Sequence, residues 1–167
     1  MLKIWAPWRA GYILGTDEEE EGCILCNRIQ APKEEWRRLG VLHRSEHAIV
    51  MLNKYPYTGG HVMVVPRRHV SRPYDLPDEE YVDLSDLLRT TIRILEDVLS
   101  PHGLNVGMNL GRVAGAGIDD HIHWHVVPRW AGDTNFMPVI ADVRVVSQSL
   151  EQVYDTLLPA FQASERT

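Results

Sequence analysis

Three histidines, His121, His123 and His125, stand at alternate positions in the segment 121–130, HIHWHVVPRW. Alternate side chains of a β-strand share a face, so the imidazoles line one side about 7 Å apart while Ile122, Trp124 and Val126 line the other. Two chemistries suit such a set. Three neutral ring nitrogens can ligate a metal ion, or one imidazole can act as a nucleophile whose tautomer its neighbours fix. Histidines serving only to fill a core would need three buried polar partners on one face, a poor alternative. Pro128 has no N–H and is expected to end regular ladder pairing. The glycine-rich stretch just ahead, Gly111 to Gly117 (GRVAGAG), offers main-chain N–H groups that an anion can approach closely. Arg129 beside the triad reads as a solvated side chain.

The two cysteines of the chain are spaced Cys23-x-x-Cys26. They are too few for a disulfide framework. Half a zinc site, a redox pair and two unbound buried thiols are the alternatives. No βαβ pattern of thioredoxin type surrounds them, which favours metal. A closed tetrahedron needs two further ligands, and spacing does not choose among the eight histidines.

The elements that must position these residues follow from periodicity and punctuation. Residues 1–16, rich in Trp and Pro, read as an extended arm, and 17–21 as an acidic loop. A short helix follows Cys26 and ends before Pro32. Strands are expected at 42–44, 48–52 and 61–66, with the Pro- and Gly-bearing stretch 53–60 as a loop. Pro77 followed by Asp78, Glu79 and Glu80 suits a helix start. Apolar residues from Val82 to Leu99 then keep helical spacing up to Ser100-Pro101. Further strands are expected at 104–110 and 143–146. Ser149 with Gln152 forms a capping-box pattern opening a C-terminal helix whose inner face is Leu150, Val153, Tyr154, Leu157 and Leu158. These elements describe an α+β fold: an antiparallel β-sheet with one long and one C-terminal helix.

The 167 residues suit a single domain, 1–167, and 44% apolar with 24% charged residues is an ordinary globular balance. The net charge of −6 argues against sequence-independent nucleic-acid binding. No apolar run reaches the length of a membrane span, and the first residues, MLKIWAPWRAGY, contain no apolar signal core, so a cytoplasmic, non-membrane protein is expected.

Taken together, His121 to Val127 (His-φ-His-φ-His-φ-φ), Asn53 eight residues before His61, the strand 61–69 (HVMVVPRRH) and Asn109-Leu-Gly111 resemble, in the right order, the histidine-triad (HIT) superfamily of nucleotidyl hydrolases and transferases. The flanking segments IWAPWRAGY and GDTNFMPV are similar to those of its bacterial diadenosine tetraphosphate phosphorylase/hydrolase subgroup. The resemblance covers residues 23–129 and implies a HIT-like fold. It implies that His123 attacks the α-phosphorus through Nε2, forming a nucleotidyl-histidine intermediate, with His125 and His61 completing the catalytic set. It further implies that Asn53 binds ribose, that Ile49 and Leu52 lie near the adenine, and that Asn109 contacts phosphate. Cys23, Cys26, His69 and His121 would hold a structural zinc, and no catalytic metal would be required. Relatives of this kind are homodimers.

Several relatives carry Gln and then Ser or Thr four and three residues before the first triad histidine, where this chain has Gly117 and Ile118. Two side-chain donors are thereby absent. The space beside Gly117 is expected to admit inorganic phosphate as second nucleophile, so that diadenosine tetraphosphate is split by phosphorolysis to ATP and ADP. The adenine nucleotide or dinucleoside polyphosphate is then the partner. Competing readings are a hydrolase of other adenylyl conjugates, a nucleotide-binding sensor without turnover, and a hydrolase with a metal on the triad.

Overall fold

The structure, a computed structural model, describes residues 21–134 and 148–164. The expected N-terminal arm and the expected strand at 143–146 lie outside these residues.

Four helices and five strands are described: α1 (Ile24–Gln30), α2 (Trp36–Leu39), β1 (Val41–Arg44), β2 (Ala48–Leu52), β3 (Val62–Pro66), α3 (Asp78–Leu99), β4 (Gly103–Gly107), β5 (Trp124–Arg129) and α4 (Leu150–Ser164). The strands form one sheet in the order β1-β2-β3-β5-β4, and every neighbouring pair is antiparallel. The α+β class expected from the sequence is the class observed.

Both faces of the sheet centre are covered, which is why β2 and β3 are buried along their whole length and read as continuous apolar runs. On one face Leu42, Val50, Leu52, Val62, Val64 and Val126 pack with residues of α3 and α4. On the other, Val41, Ile49, Met51, Met63 and Val65 pack with Leu25 and Ile29 of α1 and with Trp36. The alternation expected for the histidine segment is present, because Ile122, Trp124 and Val126 belong to the helix-covered side.

Helix α3 starts after Pro77 with three acids in its first turn, where they complement the helix dipole. It ends at Ser100, whose φ of 46° is left-handed and whose N–H donates to the Glu96 carbonyl. Helix α4 opens on the expected capping box. Gln152 N–H donates to Ser149 Oγ (3.2 Å), and Ser149 N–H donates to Gln152 Oε1 (3.0 Å). Val153, Tyr154, Leu157 and Phe161 form its buried stripe, and the Tyr154 hydroxyl donates to the Val41 carbonyl.

Helix α1 begins at Ile24, ahead of Cys26 rather than after it, and three further differences from expectation have a main-chain reason. The regular ladder of β5 begins at Trp124, not His121. Pro66 causes this: Arg67 N–H points to β2, donating to the His47 carbonyl, so Pro66 faces β5 without an N–H to offer. Ile122 N–H bonds instead to the Val70 carbonyl beyond the strand. Pro128 does not end the ladder; it is paired with Leu104 of β4. Its carbonyl accepts from the Thr58 hydroxyl, on the side away from β4. The missing N–H therefore falls where the β3 ladder has already ended. Strand β4 stops at Gly107, short of Leu110, because its partner strand starts just beyond the matching His125.

Candidate active site and metal centre

Two histidine clusters meet at the start of β5, and main-chain groups set the proton position in each. A carbonyl can only accept and a backbone N–H can only donate, so the ring nitrogen facing either one is assigned. His121 is fully buried, and its Nε2–H donates to the Pro66 carbonyl at 2.9 Å. Its Nδ1 lone pair is then directed at the cysteines, 3.4 Å from Cys23 Sγ and 3.5 Å from Cys26 Sγ. His69 Nδ1 lies 3.2 Å from Cys26 Sγ. The four ligand atoms of Cys23, Cys26, His69 and His121 all lie within 4.8 Å of one another.

These residues can hold a metal ion, and their chemistry suits zinc. Tetrahedral bonds of about 2.3 Å to sulfur and 2.0–2.1 Å to nitrogen put S and N roughly 3.6 Å apart, close to the spacings here. Burial keeps His121 in its neutral, ligating form, outweighing the Pro66 bond that favours protonation. Burial also pushes the Cys26 thiol up to about 11, followed by the hydrogen bond and charge of Cys23 and the charge of Asp120. A thiol raised in this way ionises readily only beside a cation. Cys23 caps the start of α1, Cys26 lies in its first turn, and His69 follows β3, so the cluster joins three segments.

The second cluster is His61, His123 and His125. His123 is 6% exposed, and its Nδ1–H donates to the His121 carbonyl at 2.9 Å. Its Nε2 therefore carries a lone pair. Tyr57 N–H donates to His61 Nδ1 (3.1 Å), which places the His61 proton on Nε2. That proton is given to His125 Nδ1 at 3.0 Å, so His125 carries its own proton on Nε2. The His123 and His125 rings stand edge to face with centroids 4.9 Å apart. Burial lowers His61 to about 3, with further lowering from the charges of His125 and His123. Burial and then the charge of His123 lower His125 to about 4. Both rings are neutral at pH 7. The cluster thus presents a nitrogen lone pair beside an N–H donor, the pairing needed to attack phosphorus and steady a departing oxygen.

The remaining sequence candidates are distributed unevenly around this centre. Asn53 follows β2; its Nδ2 lies 3.5 Å from His61 Nε2 and its Oδ1 accepts from Tyr55 N–H. Ile49 lies in the cluster on the histidine side of the sheet, whereas Leu52 lies on the side covered by α3 and α4. The two residues therefore do not share one wall. Asn109 reaches over the glycine loop, its Nδ2 3.6 Å from where a Cβ on Gly115 would stand. Gly117 is exposed, and a Cβ there would meet nothing within 4 Å. Arg129 is held by Asp133 and Asn105. Residue types carry little signal for the main-chain groups that set the tautomers, at Pro66, His121 and Tyr57; only Pro66, between an apolar run and His69, stands out by its type.

A five-stranded antiparallel sheet carrying three histidines at this junction defines a histidine-triad protein. The HIT domain model matches residues 39–132, and the chain belongs to that family. It is 37% identical over 158 residues to the AP-4-A phosphorylase of Mycobacterium tuberculosis, covering 90% of this chain and 79% of that protein. It is 34% identical over 93 residues to the bis(5'-nucleosyl)-tetraphosphatase (asymmetrical) of Schizosaccharomyces pombe, covering 56% of this chain and 50% of that one. Among solved structures, a Zn-bound histidine triad family protein from Mycobacterium smegmatis superimposes with a TM-score of 0.66 at 25% identity, over 87% of this chain and 96% of that one. With these relatives the chain is a HIT-family enzyme.

Proposed function

We propose that the protein is a nucleotidyl transferase that cleaves dinucleoside polyphosphates, with diadenosine tetraphosphate as substrate and inorganic phosphate as acceptor. The observation that carries this reading is the bond from His123 Nδ1–H to the His121 carbonyl, which leaves Nε2 free to form a bond. His123 Nε2 attacks the α-phosphorus; a P–N bond forms as the bridging P–O bond breaks. ATP departs with that electron pair, its bridging oxygen steadied by His125 Nε2–H. His61 holds His125 in the donating tautomer. The adenylyl-histidine keeps its Nδ1 proton and is a cationic imidazolium, a good leaving group. An oxygen of inorganic phosphate then attacks the same phosphorus, breaks the P–N bond and releases ADP. Two displacements replace one difficult substitution.

The kinship with the Mycobacterium tuberculosis AP-4-A phosphorylase supports this substrate and this acceptor. Asn53 binds the ribose and Asn109 a phosphate. Ile49 contributes to the adenine side, and the open space beside Gly117 receives the incoming phosphate. Zinc on Cys23, Cys26, His69 and His121 is structural: it ties α1 and the segment after β3 to the lead-in of the catalytic strand. No helix of the described residues is long and apolar enough to cross a membrane. A homodimer, as the family resemblance implies, belongs to the same reading.

The test is incubation with diadenosine tetraphosphate with and without phosphate. ATP plus ADP appearing only with phosphate is the expected result. AMP plus ATP at equal rates in both mixtures would show hydrolysis and overturn the phosphorolytic assignment.

A further inference from the structure

The metal-ligating histidines differ in what holds their second nitrogen. His121 Nε2 is fixed by a carbonyl inside the protein. His69 has no comparable anchor on its element; its Nε2 faces Asp120 Oδ2 at 3.6 Å. Asp120 is also the residue just before His121, so one peptide unit separates a metal ligand from the carboxylate that faces the other histidine ligand. Asp119, its neighbour on the other side, turns the opposite way and pairs with Arg112 of the glycine loop, with Nε 3.2 Å from Oδ2.

We propose that Asp120 is the outer-sphere carboxylate of the metal centre: a positioning residue whose charge, 3.6 Å from His69 Nε2, favours the proton on that nitrogen and holds the ring with Nδ1 toward the ion. The inference rests on the metal reading above and extends it to a residue that does not touch the ion. A carboxylate on the far nitrogen fixes ring orientation and raises the ligand's basicity, effects worth 10–100-fold in metal affinity where such partners are removed. The His69 and Asp120 side chains are 41% and 67% exposed. Solvent screens such a pair, so the expected effect is at the lower end, about tenfold.

The experiment titrates Zn²⁺ against a chromophoric chelator in the full-length protein and its variants, with Co²⁺ absorption as a second readout. Asp120→Asn weakens Zn²⁺ about tenfold and leaves the Co²⁺ bands at the wavelength and intensity of a four-coordinate Cys₂His₂ site. Asp120→Glu restores part of the loss. Asp119→Asn removes the same charge one residue away and leaves Zn²⁺ affinity near that of the wild type. Melting curves of the metal-free proteins check that each variant folds, with Asp120→Ser as a second truncation. Unchanged affinity in Asp120→Asn, or an equal loss in Asp119→Asn, overturns the proposal. Shifted Co²⁺ bands in Asp120→Asn would make Asp120 a direct ligand and overturn it as well. Undiminished Zn²⁺ affinity in His69→Ala would sink the metal reading itself, a separate failure.

Discussion

Replacing His61 by Gln should flatten the acid sensitivity of the fold. His61 is 1% exposed and is held neutral down to about pH 3, whereas a histidine of the unfolded chain titrates near 6.5. Because the folded value is the lower one, the unfolded state takes up the proton first as pH falls. The stability is fully present above about pH 6.5 and drains away as pH drops toward 3. Between pH 7 and pH 5 the linkage amounts to about 2 kcal/mol for His61. His125, lowered to about 4 but only half-buried, adds about 1 kcal/mol after discounting for solvent. The wild type should therefore lose about 3 kcal/mol from this pair, and His61→Gln about 2 kcal/mol less than that. Gln suits the substitution because its amide does not titrate and its N–H can still reach His125 Nδ1. Urea melts at both pH values, with saturating zinc, measure the difference; the metal ligands are common to both proteins, so their own pH dependence cancels. Equal losses in the two proteins would refute the buried-neutral account of His61.

His123→Ala should keep nucleotide affinity in equilibrium dialysis while turnover falls roughly 10⁴-fold or more, with loss of the acid-labile adenylyl adduct. Gly60→Ala meets two obstacles, a φ of +79° and a Cβ only 2.5 Å from Leu99 Cδ1. It should cost about 1–3 kcal/mol in denaturant melts and lower activity by moving the adjoining His61. Chelation of zinc should lower the melting temperature well before it lowers the turnover of protein that remains folded, because the four candidate ligands include none of His61, His123 and His125; a loss of turnover without a loss of stability would put the ion in the reaction instead.

Much of this molecule is written in side-chain types. Period-two alternation separates Ile122, Trp124 and Val126 from the histidines, and Ser149 with Gln152 marks the start of α4, because both signals reside in residue identity. The same alternation already bears on Ile49 and Leu52: three positions apart in a strand, they point to opposite faces, so one adenine pocket cannot take both on equal terms. What the sequence does not spell out lies in the main chain. The Pro66 carbonyl, the His121 carbonyl and Tyr57 N–H decide which nitrogen of each ring bears the proton, and any residue type supplies a carbonyl. Cys23 and Cys26 find His121 across a separation of nearly a hundred residues, a pairing that depends on α1 packing against the histidine face of the sheet.

Alternate histidines divide the work because the main-chain carbonyl of one accepts from the ring of the next. His121 sends its side chain to the cysteines and its carbonyl to His123, so the residue that could bind a metal ion also sets which nitrogen of His123 bears the proton. Rotation of the His121 ring about its side-chain bonds leaves its main-chain carbonyl where it is, facing His123 Nδ1. The two roles use different atoms of one residue, ring and main chain, so loss of a metal from the ring leaves the carbonyl that holds His123 Nδ1–H in place, as the expected effect of chelation on stability before turnover requires.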